Sequence, residues 1–145
     1  MGEFSDAYST DISCPPAVCF ATLVDFERYP AWSSPISVCR VIERHPDGLA
    51  KLVEFELNML VKTIRYVLDY TYDPPNGAEW TMAEGDLTGI AGSYRFEETR
   101  TGCRATCMQT IELGFWVPAF VKRTFEQKAL EDSVEEFRRA VEALG

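Results

Sequence analysis

A chain of 145 residues that is 46% apolar and 26% charged can bury one hydrophobic core, and we expect a single domain spanning residues 1–145. Its formal net charge of -9 sets it against phosphate backbones and anionic headgroups, so no nucleic acid partner is expected. No apolar run reaches bilayer length, and the opening "MGEFSDAYST" lacks the apolar segment of a secretory signal, which predicts a cytoplasmic protein with no integral membrane segment.

Residues 4–12 alternate weakly and read as a first strand. "SCPPAV" follows, and Pro15 or Pro16 fits the first turn of a helix carrying Val18, Cys19, Leu23 and Val24 on one face and ending near Asp25. "FERYPAW" predicts a second short turn of helix broken at Pro30. After Pro35 the period changes to two. "ISVCRVIER" leads into the turn signature "HPDG", with His45 expected as an exposed turn residue. "LAKLVEFELNML" places Val53, Phe55, Leu57 and Met59 on one face and Glu54, Glu56 and Asn58 on the other. "KTIRYVLDYTYD" places Ile64, Tyr66, Leu68, Tyr70 and Tyr72 on one face, opposite Arg65, Asp69 and Thr71. "PPNG" predicts a hairpin through Asn76-Gly77, and three further strands follow with turns at "GDLTG" and Thr101-Gly102. All these connections are too short for parallel crossovers, so the strands are antiparallel. From Pro118 onward Val121, Phe125, Ala129, Leu130, Val134, Phe137, Val141 and Leu144 recur at helical spacing. That pattern predicts an amphipathic helix of about 26 residues, roughly 39 Å long.

Seven strands at about 4.8 Å spacing make a sheet roughly 34 Å wide, whereas one helix with its side chains covers about 10–12 Å. The sheet must curl around the helix, and what stays uncovered becomes a pocket or is filled by large side chains. The inward parity carries Tyr66, Tyr70, Trp80, Tyr94 and Phe96, while Ala105 and Cys107 on the last strand are small and leave room. Gln109 shares that parity. It is either a core amide bonded to a neighbouring Tyr hydroxyl or a polar group that orients a ligand. Tyr29, Pro30 and Trp32 fall where the short helices hand over to the sheet, and Trp32 either corks the core or forms part of a pocket rim.

The five cysteines, Cys14, Cys19, Cys39, Cys103 and Cys107, include no Cys-x-x-Cys pair. Cys103 and Cys107 share a strand face about 13 Å apart, too far for a disulfide or a shared metal. Buried thiols in a reducing compartment are the expectation. His45 is the single histidine and precedes a turn, which gives no Cys–His or Ser–His–Asp arrangement. Gly85, Gly89 and Gly92 in "GDLTGIAGSY" join two strands and start no helix, so they form no phosphate loop. Glu84 and Asp86 are expected to be solvated at a hairpin tip. No catalytic residue, metal or cofactor is expected.

"VDFERYPAW", the Pro-containing first helix, the Gly48 turn, "YDPP", and Gly102 before the last strand occur in the order seen in a known superfamily. Through these marks the chain resembles the START/Bet v 1-like (SRPBCC) superfamily, in particular its polyketide cyclase/dehydrase-type members. The resemblance runs from "DISCPPAVCFATLVD" to the last helix. It implies the helix-grip fold of class α+β, a curved seven-stranded antiparallel sheet around the C-terminal helix with one or two short helices after the first strand. It also implies binding or carriage of a hydrophobic small molecule (a lipid, a polyketide-like compound or an isoprenoid) in an apolar groove. The expected ligand-binding residues are Trp32, Phe55, Tyr66, Leu68, Tyr70, Trp80, Tyr94 and Gln109, with Phe120 and Phe125 from the last helical segment. The alternative is a cyclase or dehydratase acting on an aromatic polyketide precursor. Aromatase/cyclase members typically direct an arginine inward, and here the outward parity of Arg65 departs from that pattern. A third reading is an interaction module whose groove is filled by its own side chains.

Overall fold

In the computed structural model, residues 3–58, 62–120 and 128–144 are described. Strand β1 (Glu3–Ile12) leads to helix α1 (Pro16–Val24), which opens on Pro15 and Pro16, where a missing N–H breaks no intrahelical bond. A 3₁₀ turn (Phe26–Arg28) and the single-turn helix α2 (Tyr29–Trp32) follow. Contrary to the sequence pattern, Pro30 does not break this turn; it sits in the first turn of α2, again where a free N–H is not needed.

Six strands then run in succession: β2 (Ile36–Arg44), β3 (Ala50–Asn58), β4 (Thr63–Asp73), β5 (Gly77–Gly85), β6 (Gly89–Thr99) and β7 (Gly102–Glu112). They form one antiparallel sheet in the order β1-β7-β6-β5-β4-β3-β2, so that β1 and β2, joined by the short helices, lie at opposite edges. The sheet meets the expected strand count and parity. Met59 lies outside the described residues.

Two turns differ from the sequence expectation. The β4–β5 hairpin turns through Pro74-Pro75, whose peptide bond is cis, and Asn76 donates its N–H to the Asp73 carbonyl at 2.7 Å. Asn76 thus closes the turn and Gly77 is already a strand residue opposite Asp73. His45 is half-buried rather than exposed. Its Nε2–H donates to the Tyr70 carbonyl at 2.8 Å, just past the point where the β3–β4 register ends at Leu52 opposite Asp69. The ring also stands edge-on to Tyr72.

Helix α3 (Leu130–Leu144) buries Leu130, Val134, Phe137 and Val141, a stripe at helical spacing laid against the concave face. Residues 119–120 are helical and 128–129 form a π-type turn that leads into α3. Residues 121–127, and with them Val121 and Phe125, lie outside the described residues. No described helix is long and apolar enough to cross a membrane.

The convex face carries its own charge cluster. Glu54 is buried there, and its two carboxylate oxygens accept from Arg40 and from Arg65. Arg65 also reaches Glu84 at 3.7 Å, and the Asp86 carboxylate accepts from the Arg65 backbone N–H at 2.8 Å. All five cysteines are free and buried. The sulfurs of Cys19 on α1 and Cys103 on β7 lie 3.2 Å apart, a closeness that the chain separation conceals.

Candidate functional site

Between the concave face and α3 lies a cavity of about 180 Å³. Strand parity aims Phe55, Leu57, Tyr66, Leu68, Tyr70, Trp80, Tyr94, Cys107, Gln109 and Ile111 into it, and α3 closes it with Leu130, Ser133 and Phe137. Leu23, Tyr29, Trp32 and Ser33 come from the short helices and the turn after them, and Asp6 from β1.

Trp32, Phe55, Tyr66, Leu68, Tyr70, Trp80, Tyr94 and Gln109 therefore all stand on this one cavity. Phe120 does not. It is 59% exposed and helical, ahead of the described α3 stripe in the chain. Sequence pattern does not assign Asp6, Leu23, Ser33, Ile111, Leu130 or Phe137 to the site. Parity along β7 could have supplied Ile111, two residues beyond Gln109, and the α3 stripe could have supplied Phe137.

A closed circuit of aromatic contacts frames the site. From Trp32 it passes to Tyr29 (centroids 4.8 Å apart), Phe26 (5.3 Å) and Tyr70 (4.8 Å). It continues through Trp80 (5.6 Å), Tyr94 (6.1 Å) and Phe137 (4.9 Å), and returns to Trp32 at 5.9 Å. The residues between Asp25 and Pro35 thus supply three of these rings and hold a corner of the core and the edge of the cavity at once. Rings confined by two torsions apiece make such a frame stiff at low entropic cost.

The polar groups in this frame fall into two sets. In the first the partner is internal: the Tyr29 hydroxyl donates to the Leu23 carbonyl at 2.5 Å, and the Trp80 indole N–H donates to Gln109 Oε1 at 3.0 Å. The Gln109 amide is thus engaged by an indole and not by the tyrosine hydroxyl expected of a core amide. In the second set no partner exists among the described residues. The Tyr94 hydroxyl is fully buried and unpaired among the described residues, and the hydroxyls of Tyr66 and Tyr70 make no hydrogen bond to a described residue. An unpaired buried hydroxyl costs about 1–3 kcal/mol relative to a paired one.

Burial pushes the phenols of Tyr66, Tyr70 and Tyr94 well up from their ordinary value, and lifts the Cys107 thiol to about 12. Burial favours the neutral form of all four, each of which can donate a hydrogen bond. Among the described lining residues Asp6, exposed at the cavity mouth, is the one charged side chain, and no Lys or Arg lines the cavity. Arg95 lies on the exposed face of β6, paired with Asp73 at 3.4 Å. No group of His, Cys, Asp and Glu among the described residues could hold a metal ion.

The sequence model of the family described as "Polyketide cyclase / dehydrase and lipid transport" matches residues 12–138. The chain belongs to this family. Among solved structures it is similar to a START superfamily protein from Mycobacterium smegmatis, with a TM-score of 0.83, 17% identity and 99% of each chain covered. It is also similar to Zhui aromatase/cyclase from Streptomyces sp. R1128, with a TM-score of 0.79, 11% identity, and 97% of this chain and 94% of that one covered. A third likeness is to a protein from Thermus thermophilus, with a TM-score of 0.76, 18% identity and 99% of each chain covered. At these identities the likenesses establish the START-type helix-grip fold alone. No curated protein matches the chain in sequence. Membership in the family supports a role in holding or converting a hydrophobic molecule and leaves the two open.

Proposed function

We propose that the protein binds and carries a hydrophobic small molecule in the cavity between its sheet and α3. The supporting observation is the cavity itself: about 180 Å³ of space persists inside a frame of aromatic and aliphatic side chains, where a purely structural core would be filled. The lining offers contact area and neutral donors but no activated base or nucleophile among the described residues.

Cyclase or dehydratase chemistry on an aromatic polyketide precursor is the second reading, favoured by the family and by the likeness to Zhui aromatase/cyclase. Against it stand Arg65 and Arg95, both engaged with carboxylates away from the cavity. Native mass spectrometry of the protein purified from its own host tests the carrier reading. The expected result is a co-purified organic adduct released on denaturation; a clean apo mass after gentle handling counts against it.

A further inference from the structure

Resting on the binding reading just given, we infer the class of ligand: a compact, neutral ring compound bearing a carbonyl or hydroxyl oxygen, held by the phenols of Tyr70 and Tyr94. Size, charge and polarity each contribute to the inference independently.

Size comes from the void. An apolar cavity of about 150 Å³ admits a guest the size of benzene. At about 180 Å³ the space here takes a single substituted ring or a small fused pair. A long acyl chain or a multi-ring polyketide exceeds this space and would have to extend out through the cavity mouth.

Charge comes from the lining. Asp6 at the mouth, with no Lys or Arg among the described lining residues, disfavours a carboxylate or phosphate on the ligand. The formal net charge of -9 works in the same direction. A buried anion in this site would have neutral phenols for donors and no counter-charge among the described lining residues.

Polarity comes from the unpaired hydroxyls. Tyr70 and Tyr94 contact opposite sides of Trp80, at 5.6 and 6.1 Å between centroids. Both side chains are more than nine-tenths buried, at 4% and 6% exposure, and neither hydroxyl has a partner among the described residues. Tyr29, in the same frame, has its hydroxyl tied to a backbone carbonyl, so an unpaired phenol is not imposed by the fold. The Tyr94 hydroxyl is sealed and unsatisfied already, and a hydrocarbon guest would strip solvent from the Tyr70 hydroxyl as well, whereas a guest oxygen gives that donor a partner.

The test uses three probes with the same number of non-hydrogen atoms: acetophenone (a neutral carbonyl), cumene (its hydrocarbon analogue) and benzoate (an anion). Titration calorimetry is run on the wild-type full chain and on Tyr70→Phe and Tyr94→Phe. The expected result is that acetophenone binds and benzoate does not. At least one variant weakens acetophenone about tenfold while cumene affinity stays within twofold of wild type, and far-UV circular dichroism verifies that both variants fold. Equal loss for acetophenone and cumene, no loss in either variant, or benzoate binding as tight as acetophenone overturns the inference and leaves the binding reading standing. Failure of all three probes to bind overturns the inference, and a clean apo mass in the preceding experiment then marks the binding reading as failed as well.

Discussion

Trp80 on β5 donates its indole N–H to Gln109 on β7, 3.0 Å away, across the strand that separates them. Gly92 on β6 lies in register with both residues and makes this reach possible. A Cβ at Gly92 would stand 2.6 Å from two indole atoms of Trp80 and 2.7 Å from the Met108 carbonyl. The glycine is therefore a gap in the middle strand through which the indole meets the amide. It also sets the depth at which Trp80 enters the cavity.

Gly92→Ala follows directly from that geometry. The new methyl group meets a ring and a backbone oxygen, neither of which is a flexible tip, so the indole must shift. We expect a loss of about 1–3 kcal/mol, the usual range for overpacking, measured by urea unfolding, together with a changed near-UV signal from displaced tryptophan. Unaltered stability and an unaltered near-UV spectrum would show that the contact is looser than described.

Gln109→Leu separates positioning from packing. The leucine keeps the volume but removes the acceptor, leaving the Trp80 N–H buried and unpaired. Stability should fall by about 1–3 kcal/mol, and Gln109→Glu, which restores an acceptor oxygen, should recover the Trp80 environment as read by its fluorescence. If Leu and Glu variants give the same Trp emission, the amide does not hold the indole.

Alternation along β3 to β7 was enough to identify the concave face, and with it Phe55, Tyr66, Leu68, Tyr70, Trp80, Tyr94 and Gln109, because a period of two leaves each side chain only two choices. The partner of Gln109 was not legible. It depends on strand order two strands away and on the missing side chain at Gly92, and neither shows in local pattern. The same holds for the contact of Cys19 with Cys103, which the fold brings together from α1 and β7. Phe120 stands apart from the lining residues, exposed near the start of the last helical segment. Helical spacing defines a stripe only once the phase of the helix is known, and the described stripe on the sheet runs from Leu130 to Val141. His45 reads as solvated from the "HPDG" turn, but a strand carbonyl past the end of a ladder offered its ring a partner.

Glu54 makes stability depend on pH in a predictable direction. Hydrogen bonds from Arg40, and then from Arg65, hold its carboxyl below the ordinary range in the folded state. The unfolded chain therefore binds this proton more tightly, and protonation favours unfolding. The contribution is complete above the unfolded carboxylate value of about 4.3 and is lost as pH falls through the lower folded value. Glu135 and Glu142, depressed in the same direction, act alike. We expect flat stability from neutral pH down to about 5 and a decline below it. Glu54→Gln should lower the neutral plateau and make that acid decline shallower, as followed by thermal unfolding at a series of pH values. An acid limb of unchanged slope in the variant would exclude Glu54 from the linkage.

Phe137 joins the helix to the cavity wall, and its removal tests both. It is 1% exposed, 4.9 Å from Tyr94 and 5.9 Å from both Phe96 and Trp32 between centroids. Phe137→Ala should cost about 3–5 kcal/mol, as for other buried phenylalanines, a loss that a domain of ordinary stability, about 5–15 kcal/mol, can survive. The void it leaves adjoins the existing space and is apolar, so it should accept benzene, and bound guest stabilises the folded state increasingly as free guest rises above its Kd. The expected outcome is a lower Tm for the variant in buffer and a larger rise in Tm on adding benzene than wild type shows. Phe137→Leu, with a smaller deletion, should fall between the two in both measurements. Destabilisation with no added response to benzene would mean that the sheet and α3 collapse onto the gap, and that the cavity is not held open by the aromatic circuit.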